Sequence, residues 1–180
     1  MKKIVYQIPI NKELEDIDKL SKIIENSNWV SKSMIIVNCS PDYSSICTQM
    51  VNHKLSHLND NELFEQMYLE LPYPNMSQIW NRDTCEYEYF DRYLSLWVAK
   101  YIKSGYNYLF VDSATIRGKN FNKVKLSIKQ YLDPNEYKFA SLYVEEKSIF
   151  LPDFYVEKYC TDINGELTFS WENENNPNWK

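Results

Sequence analysis

Hydrophobic residues follow two different rhythms along this chain, and each rhythm predicts one kind of element. Short apolar runs, bounded by polar or turn-forming residues, are typical of buried strands. We therefore predict strands at 4–8, 34–37, 67–71, 109–111, 139–144, 154–156 and 165–171. Longer stretches with apolar residues three or four positions apart predict helices beginning near Asn11, near Ser44, at Glu88 and after Asn120.

Each predicted helix has a stripe of side chains that is expected to face a core. In the first helix the stripe comprises Leu14, Ile17, Leu20 and Ile24. In the second, from about Ser44 to Leu58, it comprises Ile46, Met50, His53 and His57. In the last it comprises Phe121, Val124, Leu126 and Ile128, behind Asn120 as the expected N-cap. The helix predicted from Glu88 to Lys103 is followed by Gly105, a residue that favours the end of a helix.

Strands that alternate with helices predict a single α/β domain with a mainly parallel, twisted sheet flanked by helices. Its connections should be right-handed crossovers. The sequence contains no internal repeat, no linker and no sign of a second domain, so the domain is expected to span 1–171. The remaining residues, 172–180, form a polar tail.

The stretch from Tyr108 to Leu126 is the centre of this pattern. An apolar strand ends at Asp112, a short polar loop contains Gly118, and an amphipathic helix follows. Such a loop lies at the carboxyl edge of a parallel sheet, where these folds bind ligands. The free amides at the helix N-terminus favour an anion, with Arg117 and Lys119 adding positive charge. The alternative is a solvated basic turn in which Asp112 merely ends a strand.

Composition narrows the possible partners and compartment. The chain has 180 residues, of which 44% are hydrophobic, and a net charge of -5. That acidity argues against a general nucleic-acid or membrane surface, although Arg117, Lys119, Lys123 and Lys125 form a local basic cluster. The four cysteines have no CxxC spacing and no signal peptide is visible, so we expect free thiols and a cytoplasmic location.

Four segments, in order, resemble one known family, the type I phosphoribosyltransferases, and most closely their xanthine-guanine branch. They are LSKIIENSNWVSKSMIIV at 20–37, the loop and helix at 40–55, FVDSATIRGKN at 110–120, and the run from ASLY through PDFYV to LTFSWE within 140–172. The resemblance implies a phosphoribosyltransferase-like, Rossmann-like sheet with a small hood. It also implies a phosphorylated sugar or nucleotide ligand, a magnesium cofactor bound with phosphoribosyl pyrophosphate, and a possible homodimer.

The resemblance assigns roles to the central loop. Asp112 would hold the ribose and the shell of the substrate-bound Mg²⁺ and is the expected catalytic residue. The substrate-binding positions that follow it are Ser113, Ala114, Thr115, Ile116, Arg117, Gly118, Lys119 and Asn120. Three of these depart from the family motif: Ser113 replaces a second acid, Ile116 replaces the acid that contacts the base, and Arg117 replaces a threonine of the phosphate loop.

The resemblance places further substrate contacts outside the central loop. Ser40 precedes the position of the pyrophosphate loop, where Asp42 would repel a diphosphate. Glu145 stands near the family's purine-oxygen lysine, for which Lys147 is a possible substitute. The remaining positions, in the expected acceptor region, are Phe154, Tyr155 and Leu167.

Two functions from different classes remain open. The first is a divergent phosphoribosyltransferase that acts on a purine-like or other nucleophile. The second is a catalytically inactive member of the fold that binds a nucleotide or protein partner in a regulatory role. Weaker alternatives are a metal held by His53 and His57, which lack a third ligand, and a thiolate at Cys39 or Cys47.

Overall fold

Strands and helices alternate along the residues described by the computed structural model, which are 4–29, 34–39, 45–56, 69–70, 88–160 and 165–169. The strands are β1 (Ile4–Ile8), β2 (Met34–Asn38), β3 (Leu69–Glu70), β4 (Asn107–Thr115), β5 (Tyr137–Glu145), β6 (Phe154–Tyr159) and β7 (Gly165–Phe169). The helices are α1 (Ile10–Glu25), α2 (Ser45–Leu55), α3 (Glu88–Tyr101) and α4 (Lys119–Ile128). Each predicted strand and helix is present, and where the predicted ends fall on described residues they differ from the observed ends by a few residues.

Five of the strands form one parallel sheet in the order β3-β2-β4-β5-β6. In this register Phe110 of β4 lies between Val37 of β2 and Phe139 of β5. A second, two-stranded sheet pairs β1 with β7, also in parallel, and so brings together the two ends of the described chain. The predicted α/β domain with a mainly parallel sheet is confirmed.

The five-stranded sheet separates two hydrophobic cores of different composition. The core that we call the aromatic core lies against α3 and α4 and contains Trp97, Tyr108, Phe110, Phe121, Tyr137, Phe139 and Phe150. The core that we call the aliphatic core lies against α1 and α2 and is built mainly from Ile17, Leu20, Ile24, Ile36, Val51, Leu55, Leu109, Val111 and Leu142. Because helices cover both faces, six of the nine residues of β4 are buried and none is exposed.

Each of the three predicted helix stripes is partly wrong. In α1, Leu14 is 38% exposed, while Ile17, Leu20 and Ile24 are buried as predicted. In α2 the buried positions include Cys47, Val51 and Leu55, whereas Ile46 and His53 are exposed. In α4, Leu126 is 52% exposed, while Phe121, Val124 and Ile128 are buried as predicted. In each helix the predicted stripe includes at least one side chain on the outer surface.

The N-cap of α4 is also different from the prediction. The helix begins at Lys119 with Gly118 as its N-cap, so Asn120 lies in the first turn. Asparagine is a strong N-cap former, but tertiary packing around Gly118 fixes the start of this helix two residues earlier.

None of the described helices combines the length and the apolar character that crossing a membrane requires.

Candidate functional site

The loop between β4 and α4 lies at the carboxyl edge of the sheet, which we define by the strand ends Asn38, Thr115, Glu145 and Tyr159. β4 is the central strand, with β2 on one side and β5 on the other. In parallel sheets, loops at this edge form the usual ligand-binding crevice. Only Ile116, Arg117 and Gly118 separate the strand from the helix, so the N-terminus of α4 stands directly at the edge.

Gly118 has a conformation that only glycine adopts without strain. Its φ angle is 70°, in the left-handed region. A Cβ at this position would lie 2.5 Å from Cβ of Phe150 and 2.6 Å from Oγ of Ser148. The glycine is therefore required by the packing of the protein itself, whether or not a ligand approaches the loop.

The segment that crowds Gly118 is the loop after β5. Ile149 donates its backbone N–H to the carbonyl oxygen of Arg117, at 3.4 Å. The ring of Phe150 packs 4.9 Å from that of Phe139 and 5.5 Å from that of Phe121, measured between centroids. Phe150 thus anchors the loop in the aromatic core, and the backbone of the β4–α4 loop is held in one shape.

The β4–α4 loop carries positive potential. Arg117, Lys119 and Asn120 are all exposed. Gly118 offers no side-chain acceptor for the first-turn amides of α4, and those amides add the partial positive charge of the helix N-terminus. A phosphate or carboxylate group would find both backbone donors and two cationic side chains at this point.

The residues before the loop divide between the interior and the edge. Asp112 is half-buried on β4, whereas Ser113 is only 2% exposed and Thr115 only 4%. Ala114 packs against the aliphatic core, and Ile116 is exposed. The position expected to carry a second acid is therefore occupied by a serine that the protein buries.

Asp112 influences two buried thiols. Burial first, and then the nearby charge of Asp112, raise the pKa of Cys39 and of Cys47 above their ordinary value. Both groups remain protonated thiols at neutral pH, and a protonated thiol is a poor nucleophile. Neither residue fits the thiolate chemistry that was considered from the sequence.

The other predicted positions are scattered. Lys147 is exposed in the turn after β5, and Tyr155 is half-buried with the Lys158 ammonium 5.7 Å from its ring centroid. Phe154 is buried in the aliphatic core, with its ring 6.3 Å from that of Trp29. At the other end of its strand, Tyr159 lies at the carboxyl edge, so the structure does not bring Phe154 to the loop.

For four of the positions considered from the sequence, the structure gives no description of the side chain. Leu167 lies on β7 opposite Tyr6 of β1. Ser40, Asp42 and His57 lie outside the described residues, as does the tail at 172–180. His53 is exposed, so the proposed histidine pair is described only in part.

Tyr159 is a residue of this edge that sequence reasoning passed over. The pattern predicted that β6 ends at Val156, but pairing with β5 extends it to Tyr159, opposite Glu145. Burial first, then the charges of Glu145 and Asp112, raise the pKa of the Tyr159 hydroxyl. Tyr155 and Tyr159, two aromatic residues four positions apart on the same face of the strand, were the available signal for the longer strand.

The donor set of the site limits how a metal ion is held. Across the described part of the chain, no group of three or more His, Cys, Asp and Glu side chains is arranged to hold a metal ion. Mg²⁺ is often held by one or two carboxylates together with phosphate oxygens of a substrate. Asp112 fits a magnesium ion that arrives with a diphosphate, and does not fit an ion held by protein side chains alone.

Solved structures with a similar fold include two phosphoribosyltransferases and a protein with a bound nucleotide. A purine phosphoribosyltransferase from Pyrococcus horikoshii OT3 superposes with a TM-score of 0.59 at 17% identity, covering 94% of this chain and 95% of that one. A xanthine-guanine-hypoxanthine phosphoribosyltransferase from Helicobacter pylori gives 0.56 at 15% identity, covering 93% of each chain. A hypothetical protein from Neisseria gonorrhoeae with bound ppGpp gives 0.61 at 14%, covering 97% and 93%.

Similarity is found at the level of the fold and not at the level of the sequence. No protein-family model matches it, and no curated protein matches it. At 14–17% identity the structural likeness defines the fold alone. The chain has the phosphoribosyltransferase-like α/β fold in a single domain.

Proposed function

We propose that this protein binds a phosphorylated ribose at the β4–α4 loop and transfers the phosphoribosyl group of phosphoribosyl pyrophosphate to a purine-like or other nucleophile. The observation that carries the proposal is the combination of Asp112 with a rigid, basic helix N-terminus on the central strand. The neighbouring phosphoribosyltransferases, which cover nearly the whole chain, support it.

Each part of the loop has a distinct role in the proposed binding. The 5′-phosphate would accept hydrogen bonds from the first-turn amides of α4, while Arg117 and Lys119 add charge-assisted contacts. Asp112, half-buried on β4, would accept hydrogen bonds from the ribose hydroxyls. The fixed loop backbone means that little conformational entropy is lost when the ligand binds.

The chemical step is a displacement at the anomeric carbon. A bond forms between C1′ and the nucleophile, the bond from C1′ to the diphosphate oxygen breaks, and inorganic diphosphate leaves with the electron pair. The N–H bond of a protonated nitrogen nucleophile also breaks, and its proton passes to solvent. Magnesium bound with the substrate would neutralise charge on that leaving group. The protein itself contributes orientation and electrostatic stabilisation, the main sources of catalysis for such a transfer.

A second candidate function is binding of a nucleotide without turnover. It is favoured by Ser113, a neutral and almost fully buried residue where the family motif carries a second acid. The Neisseria gonorrhoeae neighbour, whose structure contains ppGpp, supports a nucleotide as the ligand in that case. A regulatory protein of this kind would use the same loop for the phosphate.

Diphosphate release separates the two functions. The protein is incubated with phosphoribosyl pyrophosphate, Mg²⁺ and a mixture of purine and pyrimidine bases, and inorganic diphosphate is measured over time. A transferase releases diphosphate only when an acceptor is present, and Asp112→Asn should lower the rate at least about a hundredfold. Asp133→Asn, a change of the same kind in an exposed turn, is the control and should leave the rate unchanged.

The outcomes are distinct. Release that Asp112→Asn does not alter would contradict the proposed role of this loop. If phosphoribosyl pyrophosphate binds but no diphosphate is released with any of the bases present, the result would favour the nucleotide-binding function.

A further inference from the structure

The ends of β4, β5 and β6 bring acidic and hydroxyl groups together at one side of the carboxyl edge. Glu145 and Tyr159 are direct partners in the register of β5 and β6. Asp112, on the next strand, is near enough for its charge to act on the Tyr159 hydroxyl. Glu145 and Asp112 are both half-buried, so each is partly accessible from solvent.

A buried hydroxyl group without a partner lies at the same edge. The hydroxyl oxygen of Tyr159 is buried and has no hydrogen-bond partner among the residues that the structure describes. Oγ1 of Thr115 is likewise unpaired among them, but Thr115 pairs with Val144 and so lies on the other face of the sheet from Glu145 and Tyr159. Leaving buried polar groups unpaired is unfavourable, and in native proteins it often marks a place that a ligand or water completes.

The chemistry of this edge differs from that of the β4–α4 loop. Carboxylates accept hydrogen bonds and donate none. Burial together with both carboxylates keeps the pKa of Tyr159 raised, so its hydroxyl stays neutral and can donate. The basic loop suits the phosphate end of a ligand, whereas this acidic edge suits a group that offers N–H donors and one acceptor.

An organic donor fits the edge better than a bare metal ion does. In the part of the chain that the structure describes, the acidic groups do not form a three-ligand set for a metal ion. An amino-substituted heterocycle supplies both N–H donors and a ring nitrogen acceptor on one rigid plane. An oxo group in the same place would point its lone pairs at a carboxylate.

We propose that the acceptor bound at this edge is an amino-bearing nitrogen heterocycle, whose N–H donors face Glu145 and whose ring nitrogen accepts from Tyr159. This inference rests on the proposed phosphoribosyl site, and it names the acceptor class for that site. A lysine at the end of β5 would donate hydrogen bonds and so select an oxo group. Glu145 accepts hydrogen bonds and so selects an amino group.

Two nucleotides that differ at one end of the base provide the test. AMP and IMP share the ribose and the phosphate; AMP has a 6-amino group and an unprotonated N1, whereas IMP has a 6-oxo group and an N1–H. Binding of each, and of ribose 5-phosphate, is measured by titration calorimetry in the wild-type protein. We expect all three to bind, with AMP about tenfold tighter than IMP.

Variants at the edge assign the preference to residues. Glu145→Lys should reverse it, so that IMP binds more tightly than AMP. Glu146→Lys, the same charge change at the exposed neighbour, is the matched control and should leave the ratio of the two affinities unchanged. Tyr159→Phe should weaken AMP binding severalfold without lowering the stability of the free protein, because the lost hydroxyl has no hydrogen-bond partner among the described residues.

The failures of the two proposals are distinguishable. If ribose 5-phosphate binds but IMP binds as tightly as AMP, the amino-bearing acceptor is refuted and the phosphate site stands. If Glu145→Lys and Glu146→Lys change the ratio equally, Glu145 is not the selecting residue and the inference fails. If none of the three ligands binds, the phosphoribosyl site is refuted, and this inference fails with it.

Discussion

The two cores on either side of the sheet are built from different material and support the site in different ways. The aromatic core extends through Phe150 into the loop after β5 and so fixes the backbone around Gly118. The aliphatic core instead contains two fully buried carboxylates on α1, Glu13 and Asp16. Close packing in the aromatic core therefore positions the β4–α4 loop, whereas buried charged groups on the aliphatic side position α1.

The charged arrangement of the aliphatic side is centred on Asp16. Its carboxylate accepts hydrogen bonds from the Tyr143 hydroxyl and from Lys12, both at 2.7 Å, and from Lys19 at 2.8 Å. Lys12 also reaches Glu157 of β6, at 3.0 Å. These contacts join α1 to β5 and β6 close to the edge where Glu145 and Tyr159 lie. We therefore expect the packing around Gly118 to be sensitive to side-chain size and insensitive to pH. We expect the packing of α1 to be sensitive to pH, through Asp16, and less sensitive to side-chain size.

The largest effect is expected from changing volume at Gly118. Gly118→Ala combines a left-handed backbone with contacts of 2.5–2.7 Å to Phe150 and Ser148, and should lower the free energy of unfolding by about 3 kcal/mol. Gly105→Ala is the matched control, since its φ angle is 88° but, apart from its chain neighbours, no atom of the described residues lies within 4 Å of the added Cβ. It should cost about 1 kcal/mol in urea unfolding. Equal losses would mean that crowding by Phe150 is unimportant.

The second effect concerns charge on the aliphatic side. Burial raises the pKa of Asp16, but hydrogen bonds from Lys12, Lys19 and Tyr143 together outweigh it and hold the pKa below its ordinary value of 3.8. Since the folded pKa is the lower one, the carboxylate stabilises the protein above that pH, and the stabilisation is lost as the pH falls through the folded pKa. Asp16→Asn should cost about 2 kcal/mol at neutral pH.

Urea unfolding of the wild type and of Asp16→Asn across the acidic range measures this dependence. The stability difference between the two proteins should shrink as the pH falls below about 4. Asp18→Asn, a neighbouring half-buried aspartate on the same helix, serves as the control and should have a smaller effect. A difference that stays constant down to about pH 2 would contradict the assignment of Asp16 as a stabilising carboxylate.

The smallest effect is expected at Leu126, on the outer side of α4, in contrast to Val124 on its inner side. Val124 is fully buried in the aromatic core, whereas Leu126 is 52% exposed. Val124→Ala should cost about 2 kcal/mol, and Leu126→Ala should change the stability by no more than about 0.5 kcal/mol. A large loss for Leu126→Ala would show that this side chain is covered in solution, and sedimentation of the variant would then test for a second copy of the chain.

These cases show what the sequence could reveal about the fold. Apolar runs located the strands because the sheet is buried on both faces, and its residues are hydrophobic in nearly unbroken runs. The stripe of α2 was misplaced because Cys47 was not counted as apolar, although Cys47, Val51 and Leu55 recur every four residues. Leu126 was assigned to the buried stripe of α4 because it is apolar, but single leucines are also normal on a protein surface.

Less of the site could be predicted. The arrangement of β4, a short polar loop and α4 could be predicted because a strand, a loop and a helix follow one another along the chain; the role of Asp112 stays a prediction. The role of Phe150 and the neighbourhood of Tyr159 depend on strand pairing between distant segments, which local patterns do not encode. The N-cap was mispredicted at Asn120 for the same reason, because contacts made by the β5–β6 loop decide where α4 begins.

The central claim is that the β4–α4 loop binds the phosphate of a phosphorylated ribose, and calorimetric titration with phosphoribosyl pyrophosphate tests it directly. Binding is measured with and without Mg²⁺ in the wild type and in a variant carrying Arg117→Ala and Lys119→Ala. The control carries Lys103→Ala and Lys129→Ala, which remove the same charge from exposed sites away from the loop. We predict Mg²⁺-dependent binding that the loop variant weakens at least about tenfold and the control leaves nearly unchanged. Absence of binding, or equal weakening in both variants, would contradict the claim.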